Sequence, residues 1–132
     1  MEQILNALLN FALYFGVAIV LIVAFLVLYA LITPYDELKL VRAGNTAAAI
    51  SFSGALIGMV LPVAFAVVSS HNLVTMLLWG GVACVVQLIV FLVVRLLMPQ
   101  LNQDIPADRV ATGIFLAALS VGVGILNSAC IL

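Results

Sequence analysis

Val67-Val68-Ser69-Ser70-His71-Asn72-Leu73-Val74 is the stretch on which the fold turns. It lies inside a run, Ala43 to Val94, that carries no Asp, Glu, Lys or Arg. That run is too long for one membrane helix, because about 20 residues at about 1.5 Å each cross a hydrocarbon core about 30 Å thick. The adjacent polar residues Ser69, Ser70, His71 and Asn72 interrupt it and predict a surface turn. One run therefore becomes two spans, predicted at 46–68 and 73–97. Working outward, the stretch Gln3–Tyr35 holds a span at 8–32, and Val110–Leu132 holds one at 110–131.

Composition agrees. The chain has 132 residues, 67% of them hydrophobic and 7% charged. A soluble surface needs far more charge than that, and disorder needs low hydrophobicity. A net charge of −1 excludes nucleic-acid binding through a general basic surface. The apolar runs are continuous rather than alternating, which argues against a barrel. The reading is an all-α integral membrane four-helix bundle, a single transmembrane domain over 1–132, with lipid as its outer solvent.

The charges are Glu2, Asp36, Glu37, Lys39, Arg42, Arg95, Asp104, Asp108 and Arg109. Every Lys and Arg falls at or beside the loop after the first span or the loop after the third. Basic residues favour the cytoplasmic face, so both loops are predicted inside and both termini outside, in a bacterial inner (plasma) membrane. Tyr14 and Trp79 would anchor at the outer headgroups, and Tyr29 and Tyr35 at the inner ones. The first span lacks a basic leader and is too long for a signal-peptide core, so it reads as a retained helix.

The halves repeat. Thr46-Ala47-Ala48-Ala49-Ile50 through Gly58 aligns with Val110-Ala111-Thr112-Gly113-Ile114 through Gly122 at a constant offset of 64. Pro34 and Pro99 each follow a bulky helix. Each half crosses twice, which makes two parallel two-helix repeats. The first and third spans are rich in Leu, Val and Phe and should face lipid. The second and fourth are rich in Gly, Ala and Ser. Ala47, Ser51, Gly54, Gly58 and Pro62 form one helical stripe; Gly113, Ala117, Ser120 and Gly124 form another, with Gly122 the repeat partner of Gly58. Small residues let backbones approach, so these stripes predict the inside of the bundle or a subunit interface; the competing reading is a solute path.

The first loop carries helix signals. Thr33 reads as an N-cap with Pro34 at the first helical position, and Gly44 as the stop, which predicts a short interfacial helix at 34–43. Its apolar face would be Tyr35, Leu38 and Val41. This segment is either a plain connector or a docking surface for a cytoplasmic protein. Asn45 reads as the N-cap of the second span.

Chemistry-bearing residues are few. No carboxylate lies in mid-span. Arg95, about one turn from the inner end, would snorkel to the headgroups or pair with a loop carboxylate. Gln87 in mid-helix needs a partner, either an interhelical hydrogen bond or a ligand. Asn127 ends the small-residue stripe of the fourth span. His71 stands alone, so a metal site is not expected, and no cofactor motif occurs. Cys84 and Cys130 lie at different depths, which disfavours a disulfide.

Thr33-Pro34 with Glu37, Gly44-Asn45-Thr46-Ala47-Ala48-Ala49, Ser53-Gly54 and Gly58, together with Met98-Pro99 and Asn127-Ser128-Ala129-Cys130, resemble the YjfL-type family of small bacterial inner-membrane proteins. The resemblance covers essentially the whole chain, although Arg109 stands where that family often has Asn. It implies four spans and an envelope-associated role, and it supplies no catalytic residues. The expected function is a homo-oligomeric structural or partner-binding membrane protein rather than an enzyme. The alternative is a channel or small-solute transporter lined by the second and fourth spans.

Overall fold

Backbone groups in lipid must be paired within their own segment, and this chain pairs them as helices. A computed structural model describes residues 1–131. It contains α1 (Glu2–Ile32), α2 (Glu37–Arg42), α3 (Thr46–Ser69), α4 (Leu73–Leu97), α5 (Leu101–Asp104) and α6 (Val110–Ile131). Four of these, α1, α3, α4 and α6, are long and apolar enough to cross a membrane.

α1 starts at Glu2 rather than at residue 8. No Gly or Pro breaker lies between Glu2 and Asn10, so nothing delays the helix. At 31 residues it is longer than a typical hydrocarbon core requires. The turn Ser69–Asn72 behaves as its polarity demands. Ser70 caps α3 with extended backbone, and Asn72 accepts a hydrogen bond from Thr75 N at 2.8 Å to begin α4.

α2 also differs from its predicted bounds. It begins at Glu37, with Asp36 as N-cap accepting from Lys39 N at 3.2 Å. Thr33 is not the cap, because its hydroxyl donates instead to the Tyr29 carbonyl at 2.6 Å, on the last turn of α1. The later start turns the segment. Glu37 rather than Leu38 faces inward, and Leu38 is exposed. Leu40, Val41 and Tyr35 pack on the core beside Glu37. Gly44 closes the segment in the left-handed region (φ 86°), with its N–H donating to Val41 O. α5 has no counterpart among the predicted elements; Leu101 and Ile105 are both fully buried and pin this loop to the bundle.

α3 is the central helix and packs against α6, α4, α1 and α2; α6 packs on α3 and α4, and α1 on α3 and α4. The α3–α6 contact is the most extensive. Both helices are small-sided where they meet, so their backbones come together. α1 and α4 present their Leu, Val and Phe side chains outward. Tyr29 does not sit at the surface as an interfacial aromatic would. It is 2% exposed, deep among Phe25, Phe52 and Phe91, with the Phe91 ring centroid 4.9 Å away.

Candidate functional site

Two polar centres lie inside an otherwise apolar bundle. One is the seam between α3 and α6. A Cβ placed on Gly54 would run into the Ala117 backbone, one on Gly58 into the Ser120 carbonyl, and one on Gly124 into Gly58. On Gly113 it would lie 2.6 Å from Ala47 O. Ala47, Ser51, Gly54, Gly58, Gly113, Ser120 and Gly124 are all buried, and Ala117 is half-buried. Gly122 is not part of the seam. It is exposed, with nothing within 4 Å of where its Cβ would be. The offset of 64 aligns Gly122 with Gly58, but the packing sets Gly124 and Ser120 against it.

Gln87 stitches this seam. Its Nε2 donates to Gly58 O at 2.9 Å and to Ser120 O at 3.3 Å. The first acceptor has a specific cause. Pro62 lies inside α3 and has no N–H, so the carbonyl of Gly58, four residues earlier, loses its helical donor. Gln87 supplies the missing hydrogen bond from α4. At the far end of the seam, Ser128 donates to Gly124 O at 2.7 Å, while Asn127 is buried with Nδ2 lacking a partner among the described residues.

Near its start α3 is tied to the second loop. Asn45 Oδ1 accepts from Ala48 N at 2.8 Å, and its Nδ2 donates to Ile105 O at 3.0 Å. Asp108, itself at φ 59°, accepts from Ala47 N at 2.9 Å. Two side chains from loops about sixty residues apart thus cap one helix. Arg109 lies 3.6 Å from Asp104; the exposed guanidinium keeps the pairing of small energetic weight, while the largely buried Asp104 also accepts from Thr112 Oγ1 at 3.1 Å.

The second centre is Glu37. This carboxylate sits in a loop by sequence and yet is 4% exposed. Its Oε1 accepts from Tyr29 Oη at 3.2 Å and from Ser51 Oγ at 3.3 Å. Its Oε2 and the buried Tyr35 hydroxyl make no close hydrogen bond among the described residues, although the hydroxyl is near enough to Glu37 to favour its carboxylate. Burial pushes the Glu37 carboxyl up to about 7, against the weaker opposing pull of the Tyr29, Ser51 and Tyr35 hydroxyls. Burial and the adjacent Glu37 also push the Tyr35 phenol upward. Arg95 approaches from α4, and its Nη1 donates to Ile32 O at 3.2 Å, capping the end of α1; no carboxylate pairs with it among the described residues. Pro34 is exposed at the rim of a cavity of about 370 Å³ beside Glu37.

The sequence pattern marks the seam residues and Gln87, and it marks Glu37 only as part of the loop signature with Pro34, Gly44 and Asn45, not as a buried centre. The only local signal was the face formed by Glu37, Leu40 and Val41, which competes with the equally regular face of Tyr35, Leu38 and Val41. No cluster of three or more His, Cys, Asp or Glu residues able to hold a metal occurs among the described residues. Cys84 and Cys130 are free thiols.

The family described as Domain of Unknown Function (DUF350) matches residues 3–131. The chain is 40% identical over 128 residues, 97% of each chain, to the UPF0719 inner membrane protein YjfL of Escherichia coli (strain K12). It is 29% identical over 126 residues, 94% of each chain, to the UPF0719 transmembrane protein YshE of Bacillus subtilis (strain 168). No solved structure matches it.

Proposed function

The chain belongs to the DUF350 (UPF0719) family, and within that family we propose that it acts as a non-catalytic, homo-oligomeric component of the bacterial inner membrane that holds partners in place. Its relatives carry the names of membrane proteins and none of an enzyme. The observation that carries the reading is the outer face of the α3–α6 seam. This face is an open apolar groove of about 570 Å³ whose floor includes Ala49, Ser53, Ala117 and Ala118 between Ile57 and Ile114. Small side chains facing lipid gain by packing against another helix, because dispersion contacts drive association where the hydrophobic effect cannot. Gly58, by contrast, is already used inside the protomer.

The basic bias supports an orientation with α2 and α5 in the cytoplasm and both termini outside. The offset between halves supports two parallel repeats, α1 with α3 and α4 with α6. On the same orientation, the exposed Leu38, Lys39 and Arg42 of α2 form a docking surface for a cytoplasmic protein.

Ala118→Leu tests the groove. It fills the open face without entering the seam, so the expected result is a shift to monomer, by native mass spectrometry from detergent, with an unchanged melting temperature. An oligomer of unaltered size would remove the groove as the interface.

A second reading, small-solute transport, draws support from one observation, the buried titratable Glu37 between two spans. A path between α3 and α6 within the protomer is disfavoured, because at Gly54 and Ala117 the backbones touch.

A further inference from the structure

The Glu37 centre is incompletely satisfied in a particular way. One carboxyl oxygen is held by Tyr29 and Ser51, while the other is buried and unpartnered. The Tyr35 hydroxyl is likewise buried and unpartnered. Both residues line the same cavity of about 370 Å³, whose walls include Pro34, Leu31, Leu38 and the Phe52 ring. Buried polar atoms of this kind ordinarily have a partner; the Tyr35 hydroxyl lies near the Glu37 carboxyl without closing a hydrogen bond to it, and two such atoms on one cavity point to a missing occupant. No cation pairs with Glu37 among the described residues, since the ion pair present joins Arg109 and Asp104.

We propose that the cavity beside Glu37 binds an ammonium group, presented by an amine-bearing lipid headgroup or by a small free alkylamine. The donor requirement selects this class. The free oxygen of Glu37 accepts, and the Tyr35 hydroxyl oxygen can accept while its own proton turns toward the carboxylate, so an ammonium brings three donors to two acceptor oxygens. A guanidinium fork wants both oxygens of a carboxylate, and one is already committed to Tyr29 and Ser51. A metal ion wants several oxygen ligands, whereas the site offers one carboxylate oxygen and one phenol. The Tyr35 and Phe52 rings provide faces for cation–π attraction, and the aliphatic walls receive the carbon attached to nitrogen. The cavity is several times the about 30 Å³ share of one water molecule, so a headgroup-sized fragment fits.

Binding displaces a proton. The acid form of Glu37 plus an alkylammonium gives the carboxylate–ammonium pair plus one released proton, so affinity rises with pH until the carboxyl is fully ionised. The groups facing Glu37 are Tyr29 from α1, Tyr35 from the loop before α2, Ser51 from α3 and the Arg95 guanidinium from α4, which is held at the Ile32 carbonyl. Asp36 lines the cavity but accepts from Lys39 N. Ser51 does not titrate, and both phenols stay neutral at these pH values, so the proton that leaves belongs to Glu37.

The test uses the full chain in phosphatidylglycerol nanodiscs with ethylammonium chloride as probe, read by the infrared band of the protonated carboxyl. The expected result is loss of that band on titration, with the half-saturating concentration falling about tenfold between about pH 6 and about pH 8. Tyr35→Phe should raise that concentration about fivefold. Glu37→Gln, a neutral isostere that keeps the Tyr29 and Ser51 contacts, should abolish the response. If the band is already missing in discs containing phosphatidylethanolamine with no added amine, the source is a lipid headgroup; if it is lost only with added ethylammonium, the source is a free amine. A band that answers to pH but to neither amine overturns the proposal, as does an undiminished response in Glu37→Gln.

Discussion

The α3–α6 seam and the Glu37 centre solve opposite problems within the same bundle. The seam removes side chains until two backbones touch, and its polar atoms are nearly all paired inside the protein. The Glu37 centre gathers large side chains, Tyr29, Phe52 and Phe91, around a carboxyl that they desolvate but only half satisfy. The seam is thus stiff because neighbouring carbonyls leave no room, while the Glu37 centre holds a charge state that the surroundings can change. Packing there fixes geometry; at Glu37 it fixes a proton affinity.

The strongest way to break the contrast is to put bulk into each helix face. Gly58→Leu drives a side chain into the Ser120 carbonyl, which is backbone and cannot swing aside. The expected outcome is loss of the folded bundle, more than ~3 kcal/mol, seen as collapse of the thermal transition in detergent. Gly122→Leu, on the same helix as Ser120 but facing outward, should melt with the wild type. Equal damage from both would mean that the seam is not where the backbones lock.

pH sharpens the other half of the comparison. The Glu37 carboxyl is raised in the folded state, so folding favours its protonated form. Its stabilising contribution is complete below the unfolded carboxyl value and is lost as pH rises through the folded one. The rise to about 7 corresponds to about 3 kcal/mol, withdrawn between about pH 4.5 and about pH 7. Chemical denaturation across that window should show wild-type stability falling, while Glu37→Gln stays level. The seam contains no group that titrates there, so a slope that survives in Glu37→Gln would assign the effect elsewhere.

The two regions also differ in how much of them the sequence alone reveals. The seam is a matter of spacing along single helices: Ala47, Ser51, Gly54 and Gly58 recur at helical intervals, and periodicity reports that directly. The four spans follow in the same way from where the charges stop and from the Ser69–Asn72 break. The Glu37 centre is built from residues eight and fourteen positions from Glu37 on two other helices. Apart from the weak face it shares with Leu40 and Val41, little in its local sequence separates it from Asp36, which does lie at the surface as a loop carboxylate should. The late start of α2 was hidden for a related reason. Thr33 has the right type for an N-cap, but its hydroxyl is taken by the last turn of α1. Gly122 shows the converse limit, where alignment of the halves finds equivalent positions but not equivalent faces.

Gln87 gives the smallest effect and the finest test, because it asks why the seam needs a polar residue at all. If Gln87 serves the carbonyl that Pro62 leaves bare, the two substitutions must be coupled. Gln87→Leu keeps the volume and removes two hydrogen bonds, so it should cost about 1 kcal/mol, the usual scale for interhelical bonds in membranes. Pro62→Ala restores a backbone N–H four residues after Gly58 and returns to that carbonyl its helical partner. In the Pro62→Ala background the cost of Gln87→Leu should shrink, leaving only the longer bond to Ser120. A double-mutant cycle measured by unfolding in mixed micelles isolates that coupling. Strict additivity would mean that Gln87 binds the seam for its own sake, and that the proline at Pro62 and the glutamine opposite it are unrelated.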